Sequence, residues 1–340
     1  MATAAGHTQP TPELVFDTLN AYQRTAALKA AIELDVFTAI GEGTDTAAAL
    51  AKRCQAAERG MRILCDYLVI IGFLTKQGQR YGLTPDTAVF LDRRSPVCIA
   101  SAADFLTSFE GVARFRDLTA AVRKGGTTMP GDGTVEADNP IWIEFARSMA
   151  PLQIPASEAI AGILNARAGE KWKVLDIAAG HGLFGIALGK HNPNAEIYAL
   201  DWPRVLEVAE QNAAKAGVLS RYHKLAGSAF ELDYGKDYDI VLLTNILHHF
   251  DPVMNEMMLR RVRAALAPGG RAVTLEFVPN DDRVTPPRAA AFSLIMLAST
   301  PDGDTYTFRE FEQMFHAAGF SSSEQMPLPN GFQTVIISRK

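Results

Sequence analysis

The chain of 340 residues is 48% apolar and 21% charged, the balance of a soluble globular protein, and at about 150 residues per domain it has room for two domains. A net charge of -5 argues against a surface built for nucleic-acid phosphates, and the longest nearly unbroken apolar stretch, Leu68 to Leu74, is far shorter than the roughly 20 residues of a membrane span. Three scattered cysteines (Cys54, Cys65, Cys98) suit neither a disulfide framework nor a metal knuckle, and the opening MATAAGHTQPTPE lacks the basic-then-apolar order of a signal peptide, so a cytoplasmic enzyme is expected.

Residues 12–40 carry apolar side chains at helical spacing (Leu14, Val15, Leu19, Tyr22, Ala26, Leu28, Ala31, Ile32). Thr46 and Ala47 open a short helix, and a second runs from Glu58 through MRILCDYLVIIG to a stop at Gly72. FLTKQGQRYGLTP adds two short strand-like runs around Gly78. Helix, helix, small hairpin is the order of a winged helix. Between Thr44 and Asp86, however, six basic residues face four acidic ones, and the second helix is mostly Ile, Leu, Val, Tyr and Met. Such a helix suits burial in protein better than a major groove. The apolar surface of residues 12–40 favours a helix-mediated homodimer, with a winged-helix, ligand-sensing regulator as the alternative from another class. Residues 97–165 predict more helices, interrupted by KGGTTMPGDGTVEADNP, with large side chains (Phe105, Phe109, Phe115, Trp142, Phe145, Met149) that suit a core or a pocket.

From Lys173 onward, strand-like runs rich in Val, Ile and Leu alternate with helical segments, which predicts a parallel sheet covered on both faces. SSSEQMPLP and FQTVIISRK around Pro329-Asn330-Gly331 predict an antiparallel hairpin closing it. The first strand, VLDIA, runs into Ala179-Gly180-His181-Gly182-Leu183-Phe184-Gly185, a formal G-x-G-x-x-G. Asp176, four positions before Gly180, would repel a pyrophosphate on the helix N-terminus and suits a cofactor with an ammonium group and no phosphate, such as S-adenosylmethionine. Asp201 ends the next strand, 25 positions on, where a carboxylate can accept both ribose hydroxyls of an adenosine. An NAD oxidoreductase is disfavoured by Asp176.

VLDIAAGHG, ALDWP, AGSAFE, LTNILHHFDP, LAPGGRAVTLEFV and FREFEQMFHAAGF, in that order, resemble the class I methyltransferase domain of bacterial and plant small-molecule O-methyltransferases, the caffeate and hydroxyneurosporene methyltransferase relatives. The resemblance covers nearly the whole chain. It implies an α/β fold: a Rossmann-like seven-stranded sheet preceded by a mostly helical winged-helix dimerisation domain. The expected divisions are residues 1–100 for dimerisation, 101–165 for a helical linker that contributes to the substrate pocket, and 166–340 for S-adenosylmethionine binding.

The strand DIVLLTNIL is expected to end at Leu247, just before His248 and His249, and GRAVTLEFV places Glu276 near its carboxyl end. In the sheet of this family the two strands are neighbours, so an imidazole and a carboxylate could meet at the pocket rim. The resemblance makes His248 the general base, puts His249 where the family has Asp, and leaves Glu276 to hold the tautomer. It assigns the cofactor to Asp176, Gly180, Gly182, Asp201, Trp202, Ser228, Phe230 and Thr244, and a small aromatic or polyketide-like acceptor to Trp142, Phe145, Met149, Phe292 and Met296. Three departures stand out: Ser228 replaces an acid, Thr244 a lysine, and Thr305 a second carboxylate beside the base. They leave N- or C-methylation, or a non-methylating activity on the same scaffold, as alternatives. Adjacent histidines with no Cys or third His nearby in sequence speak against zinc.

Overall fold

The computed structural model describes residues 10–329 and 333–340. Two compact units divide the chain, Met1–Ser108 and Phe109–Lys340, so residues 101–165, expected as a segment of their own, are shared between them.

In the first unit the N-terminal apolar stretch forms three helices, Glu13–Leu19, Ala21–Glu33 and Val36–Gly41, interrupted at Asn20 and at Asp35, which adopts a left-handed φ of 57°. Helix Ala47–Arg53 is capped by the Thr46 hydroxyl, which accepts from the Ala49 N–H. Helix Glu58–Ile70 buries Met61, Cys65 and Leu68 on one face, and the chain leaves it through Gly72 at φ 85°. Strands β1 (Leu74–Gln77) and β2 (Arg80–Leu83) pair antiparallel, completing the expected helix-helix-hairpin order. Leu14, Val15, Phe16, Leu19 and Tyr22 remain 60–78% exposed, an apolar face with nothing of its own unit packed over it.

The second unit opens with helices, among them Ile141–Ser148 and Ala150–Ile163, and continues into strands β3 (Trp172–Ile177), β4 (Ala195–Asp201), β5 (Tyr222–Ala226), β6 (Tyr238–Thr244), β7 (Leu266–Glu276), β8 (Ser322–Pro327) and β9 (Thr334–Arg339). They form one seven-stranded sheet in the order β5-β4-β3-β6-β7-β9-β8, parallel from β5 to β7 and antiparallel at β9 and β8. The turn expected at Pro329-Asn330-Gly331 lies in part outside the described residues.

Period-two alternation explains the two cores. Val174, Leu242, Val273 and Ile337 face one layer of helices, while Leu175, Val241, Leu243 and Ile336 face the other. Each such side chain contributes roughly 1.5–3 kcal/mol when fully buried, so a charged residue in this sheet interior is a costly exception. Asp176 and Glu276 are two, both 0% exposed. After β3 the chain builds outward to β4 and β5, then crosses back to β6. The reversal falls between β3 and β6, where ligands bind in open α/β sheets, beyond the carboxyl ends of the strands. Among the described residues no helix is long and apolar enough to cross a membrane.

Candidate active site

The carboxyl ends of β3, β4, β6 and β7 converge on the switch point. At β3 the chain turns through Ala178, Gly180 and Gly182, all at positive φ (54°, 56° and 75°), into helix Leu183–His191. Gly182 is constrained twice, because a Cβ there would also come within 2.5 Å of the Tyr222 hydroxyl.

Asp176 does not stand open at the end of its strand. The strand continues to Ile177, and the side chain lies on the face covered by helix Leu183–His191, where its Oδ2 accepts from the Gly185 N–H at 3.1 Å. Burial pushes its pKa up to about 7, against which the Gly185 hydrogen bond works; nearby Asp201 adds to the rise. A group that is largely protonated at mildly acidic pH is a weaker diphosphate repellent than the sequence suggested. Asp201 does end β4: its Oδ2 accepts from the Gly180 N–H at 2.8 Å and its Oδ1 from the Trp202 N–H at 2.7 Å. Burial also raises this carboxyl, to about 6, with the two backbone donors opposing. Each oxygen keeps a lone pair for a further donor. Ser228, where an acid was expected, receives the Phe230 N–H on its hydroxyl at 3.2 Å, and Phe230 packs edge-on against Phe250 at 4.8 Å. Thr244 is buried at the end of β6.

Strand β6 stops at Thr244 rather than Leu247, because Asn245 takes a left-handed φ of 57°. The histidines follow on a short 3-10 turn, Leu247–His249. His248, 3% exposed, places its Nδ1 2.5 Å from Oε2 of Glu276 at the end of β7. The other oxygen, Oε1, accepts from the backbone N–H of Leu247 at 2.9 Å and of His248 at 3.4 Å. A carboxylate can only accept, so Nδ1 is the donor in this contact, and in the neutral ring the lone pair then lies on Nε2. His249 lies with its ring 4.3 Å from that of His248, and its Nδ1 is buried without a hydrogen-bond partner among the described residues. Burial first, and His248 second, hold the His249 imidazole well below the ordinary histidine range, so it is neutral at physiological pH.

Aromatic rings cover the pair. Trp142 meets His249 edge-on at 5.1 Å and donates its indole N–H to the Thr134 carbonyl at 2.9 Å. Phe292 meets His248 at 5.0 Å. Phe145 stacks at 6.3 Å on His181, the residue between the two loop glycines, whose pKa burial lowers to about 4. Met149 caps helix Ile141–Ser148, and Met296 is a core position at 2% exposure. Thr305 is fully buried and shares a 2.5 Å hydroxyl contact with Ser293, so it brings no charge to the base.

Three residues of the site were not singled out by sequence. Asn255, 0% exposed, donates to the carbonyls of Leu247 (2.9 Å) and Phe250 (3.1 Å) and so fastens both ends of the histidine turn. Its signal was a lone polar residue on the apolar face of a helix. A Cβ on Gly303 would lie 2.5 Å from the His248 carbonyl oxygen. Phe277, next to Glu276, contacts His248 at 5.8 Å.

A family model for an O-methyltransferase domain matches residues 147–321, and one for an O-methyltransferase dimerisation domain matches residues 16–93. The chain is 27% identical to a 3-hydroxy-5-methyl-1-naphthoate 3-O-methyltransferase from Streptomyces sahachiroi and 28% identical to a tetracenomycin polyketide synthesis 8-O-methyltransferase from Streptomyces glaucescens, over 94% of each chain in both cases. A solved structure of a candidate O-methyltransferase from Nostoc punctiforme is 55% identical, with a TM-score of 0.94 over 98% of this chain and all of the other.

Proposed function

The chain belongs to the O-methyltransferase family and is an S-adenosylmethionine-dependent methyltransferase, and from that premise we propose that it methylates a hydroxyl of a small aromatic or polyketide-like molecule, as a homodimer, with His248 as general base. The observation that carries the reading is the buried 2.5 Å contact between His248 Nδ1 and Glu276.

The residues fit the cofactor. A Cβ built on Gly180 would only touch the Phe145 ring and the Ala178 carbonyl at 3.9 Å, so nothing crowds the turn, and Asp201 closes one side with a carboxylate that has acceptor capacity in reserve. Asp201, Gly180, Gly182, Trp202, Ser228, Phe230 and Thr244 would hold the nucleoside and its amino-acid tail. Asp176 would act through the turn, by fixing Gly185 beneath it. S-adenosylmethionine, when bound, supplies a methyl group on a positively charged sulfur.

What remains for the protein is to position the acceptor oxygen, exclude water and take a proton. A phenol at pKa about 10 and an imidazole at about 6.5 differ by some 3.5 units, so complete prior proton transfer would cost about 5 kcal/mol. His248 lowers this by accepting the proton on Nε2 as the oxygen attacks, and Glu276 stabilises the imidazolium that results. Trp142 and Phe292 shield the histidines, Phe145 and Met149 complete the expected acceptor wall, and Met296, at 2% exposure, belongs to the core instead. The naphthoate and polyketide specificities of the two Streptomyces relatives support a flat, ring-bearing acceptor for this chain. The dimerisation-domain match and the exposed apolar face of Leu14–Tyr22 support the homodimer. A screen of phenolic compounds with labelled S-adenosylmethionine tests the reading: label on oxygen is expected, and label on nitrogen or carbon only would replace it.

A further inference from the structure

Proton transfer to His248 leaves the neighbouring His249 without a task. The His249 ring lies 4.3 Å from that of His248, at 50°, with Trp142 edge-on at 5.1 Å and Phe250 at 6.3 Å. The residue is 8% exposed and its Nδ1 is closed to water. Among the described residues, neither ring nitrogen is hydrogen-bonded to a side chain or a carbonyl. The polar groups around it are engaged elsewhere. Glu276 holds His248 and the turn, the Thr134 carbonyl accepts from Trp142, and the Phe250 carbonyl accepts from Asn255 and from the Tyr306 hydroxyl.

A neutral imidazole carries one N–H donor and one lone pair, and burial, with His248 second, keeps His249 neutral. Buried polar groups almost always find a partner, because an unmade hydrogen bond leaves their desolvation uncompensated. The fold itself gives no use for these nitrogens. Glu276 and Asn255 fasten the turn through its backbone, and the contact with Trp142 needs only a ring. Phenylalanine would fill the same place without the unpaired nitrogens. The missing partner therefore belongs to a molecule that enters the site. His248 offers its Nε2 lone pair to the reacting hydroxyl, so an atom that meets His249 sits beside that hydroxyl on the same molecule. Substituents on adjacent carbons of an aromatic ring are close enough together to meet two imidazoles that are themselves in contact. Of the two nitrogens it is the N–H that any oxygen substituent can answer, since a hydroxyl, an ether and a carbonyl all accept.

We propose that His249 is a specificity-determining residue whose imidazole N–H donates to an oxygen substituent next to the hydroxyl that is methylated, so that the site selects acceptors with two neighbouring oxygens over those with one. The proposal rests on the reading of this site as the acceptor site of an O-methyltransferase.

The test is calorimetric titration of the full-length protein, with S-adenosylhomocysteine present, using 3-methoxy-2-naphthol, 3-methyl-2-naphthol and naphthalene-2,3-diol. All three keep one naphthol hydroxyl and differ only in the group beside it. The wild type is expected to bind the methoxy compound roughly 10-fold or more tightly than the methyl compound, which leaves the buried donor unpaired. His249→Phe, which keeps a ring against Trp142, should shrink the preference to within about threefold and leave S-adenosylhomocysteine affinity within about threefold of the wild type. His249→Asp should favour the diol over the methoxy compound by roughly 10-fold, because a carboxylate accepts from a hydroxyl and repels an ether oxygen. Thermal midpoints within a few degrees of the wild type identify the variants that have folded. Equal affinity of the wild type for the methoxy and methyl compounds overturns the proposal, as does an undiminished preference in folded His249→Phe or the lack of an inversion in folded His249→Asp. A loss of about tenfold in S-adenosylhomocysteine affinity in His249→Phe overturns it too, by giving the missing partner to the cofactor. Label from S-adenosylmethionine reports separately on the underlying reading. Methylated naphthol without the preference removes the role of His249 and leaves the methyl transfer standing, whereas the preference with none of the three compounds methylated removes the reading and leaves a binding slot.

Discussion

Glu276 holds His248 twice: one carboxylate oxygen lies on the imidazole Nδ1 at 2.5 Å, while the other accepts the backbone N–H groups of Leu247 and His248 itself. A single buried side chain at the end of β7 thus fixes the tautomer, the ring orientation and the turn that carries the ring. A Glu276→Gln variant separates these duties. Its amide oxygen can still accept from the turn, but its NH2 would donate to Nδ1 and force the proton onto Nε2, the nitrogen that must be bare. We predict a loss of kcat of about 100-fold or more, with S-adenosylhomocysteine affinity within about threefold of the wild type. Steady-state kinetics with calorimetry check it; a parallel loss of cofactor affinity would make Glu276 a purely structural residue.

Gly303 marks how tightly the turn is packed. A Cβ there would come within 2.5 Å of the His248 carbonyl oxygen and 2.6 Å of the Thr300 hydroxyl, and the first of these is backbone. Gly303→Ala should displace the turn, lowering kcat at least ~10-fold and destabilising the fold by about 1–3 kcal/mol, as overpacking of a close contact does. At this size that is a fall of roughly 2–4 °C in Tm per kcal/mol. An unchanged Tm and kcat would mean that the loop carrying Gly303 yields freely.

Asn255 fastens the same turn from the helix that follows it. Asn255→Ala removes both hydrogen bonds, while the Leu247 carbonyl keeps the Phe250 N–H at 3.3 Å and the Phe250 carbonyl keeps the Tyr306 hydroxyl at 2.6 Å. The cost is that of two lost hydrogen bonds, about 0.5–1.5 kcal/mol each. Chemical denaturation should show a loss of that order, with kcat falling more than the KM for the cofactor. A variant as stable as the wild type would show that the turn holds itself.

The acids below the glycine turn predict a pH dependence. Asp176 (about 7) and Asp201 (about 6) hold protons in the folded state that the unfolded chain releases near pH 4. Where the folded state binds more protons, stability falls as pH rises, here across pH 4–7. His181, lowered to about 4, acts the other way: its contribution is lost as pH falls from about 6.5 towards 4. Asp176→Asn removes one buried charge, so its Tm relative to the wild type should rise between pH 5 and pH 8. Thermal unfolding at both values checks it, and parallel shifts would show that Asp176 is ionised throughout.

The strand-helix alternation was legible because buried parallel strands read as short Val/Ile/Leu runs. His248 and Glu276 could be paired because neighbouring parallel strands bring their carboxyl ends together. Other features left no usable mark. The helix breaks at Asn20, and at Ala291 between Pro287–Ala290 and Phe292–Ser299, carry neither Pro nor Gly at the break. The end of β6 moved because Asn245 takes a left-handed conformation that its neighbours do not announce. Asp176 looked like a rim residue because one further strand residue, Ile177, decides whether it is covered. Phe277 was hidden because an apolar residue after a strand reads as core.

The direct measurement is methyl transfer by His248→Gln to an aromatic hydroxyl acceptor, compared with the wild type under saturating S-adenosylmethionine. Loss of general-base catalysis predicts a kcat lower by about 100-fold or more, with S-adenosylhomocysteine binding intact. Turnover within about threefold of the wild type would contradict proton transfer to His248 and leave the site with positioning alone.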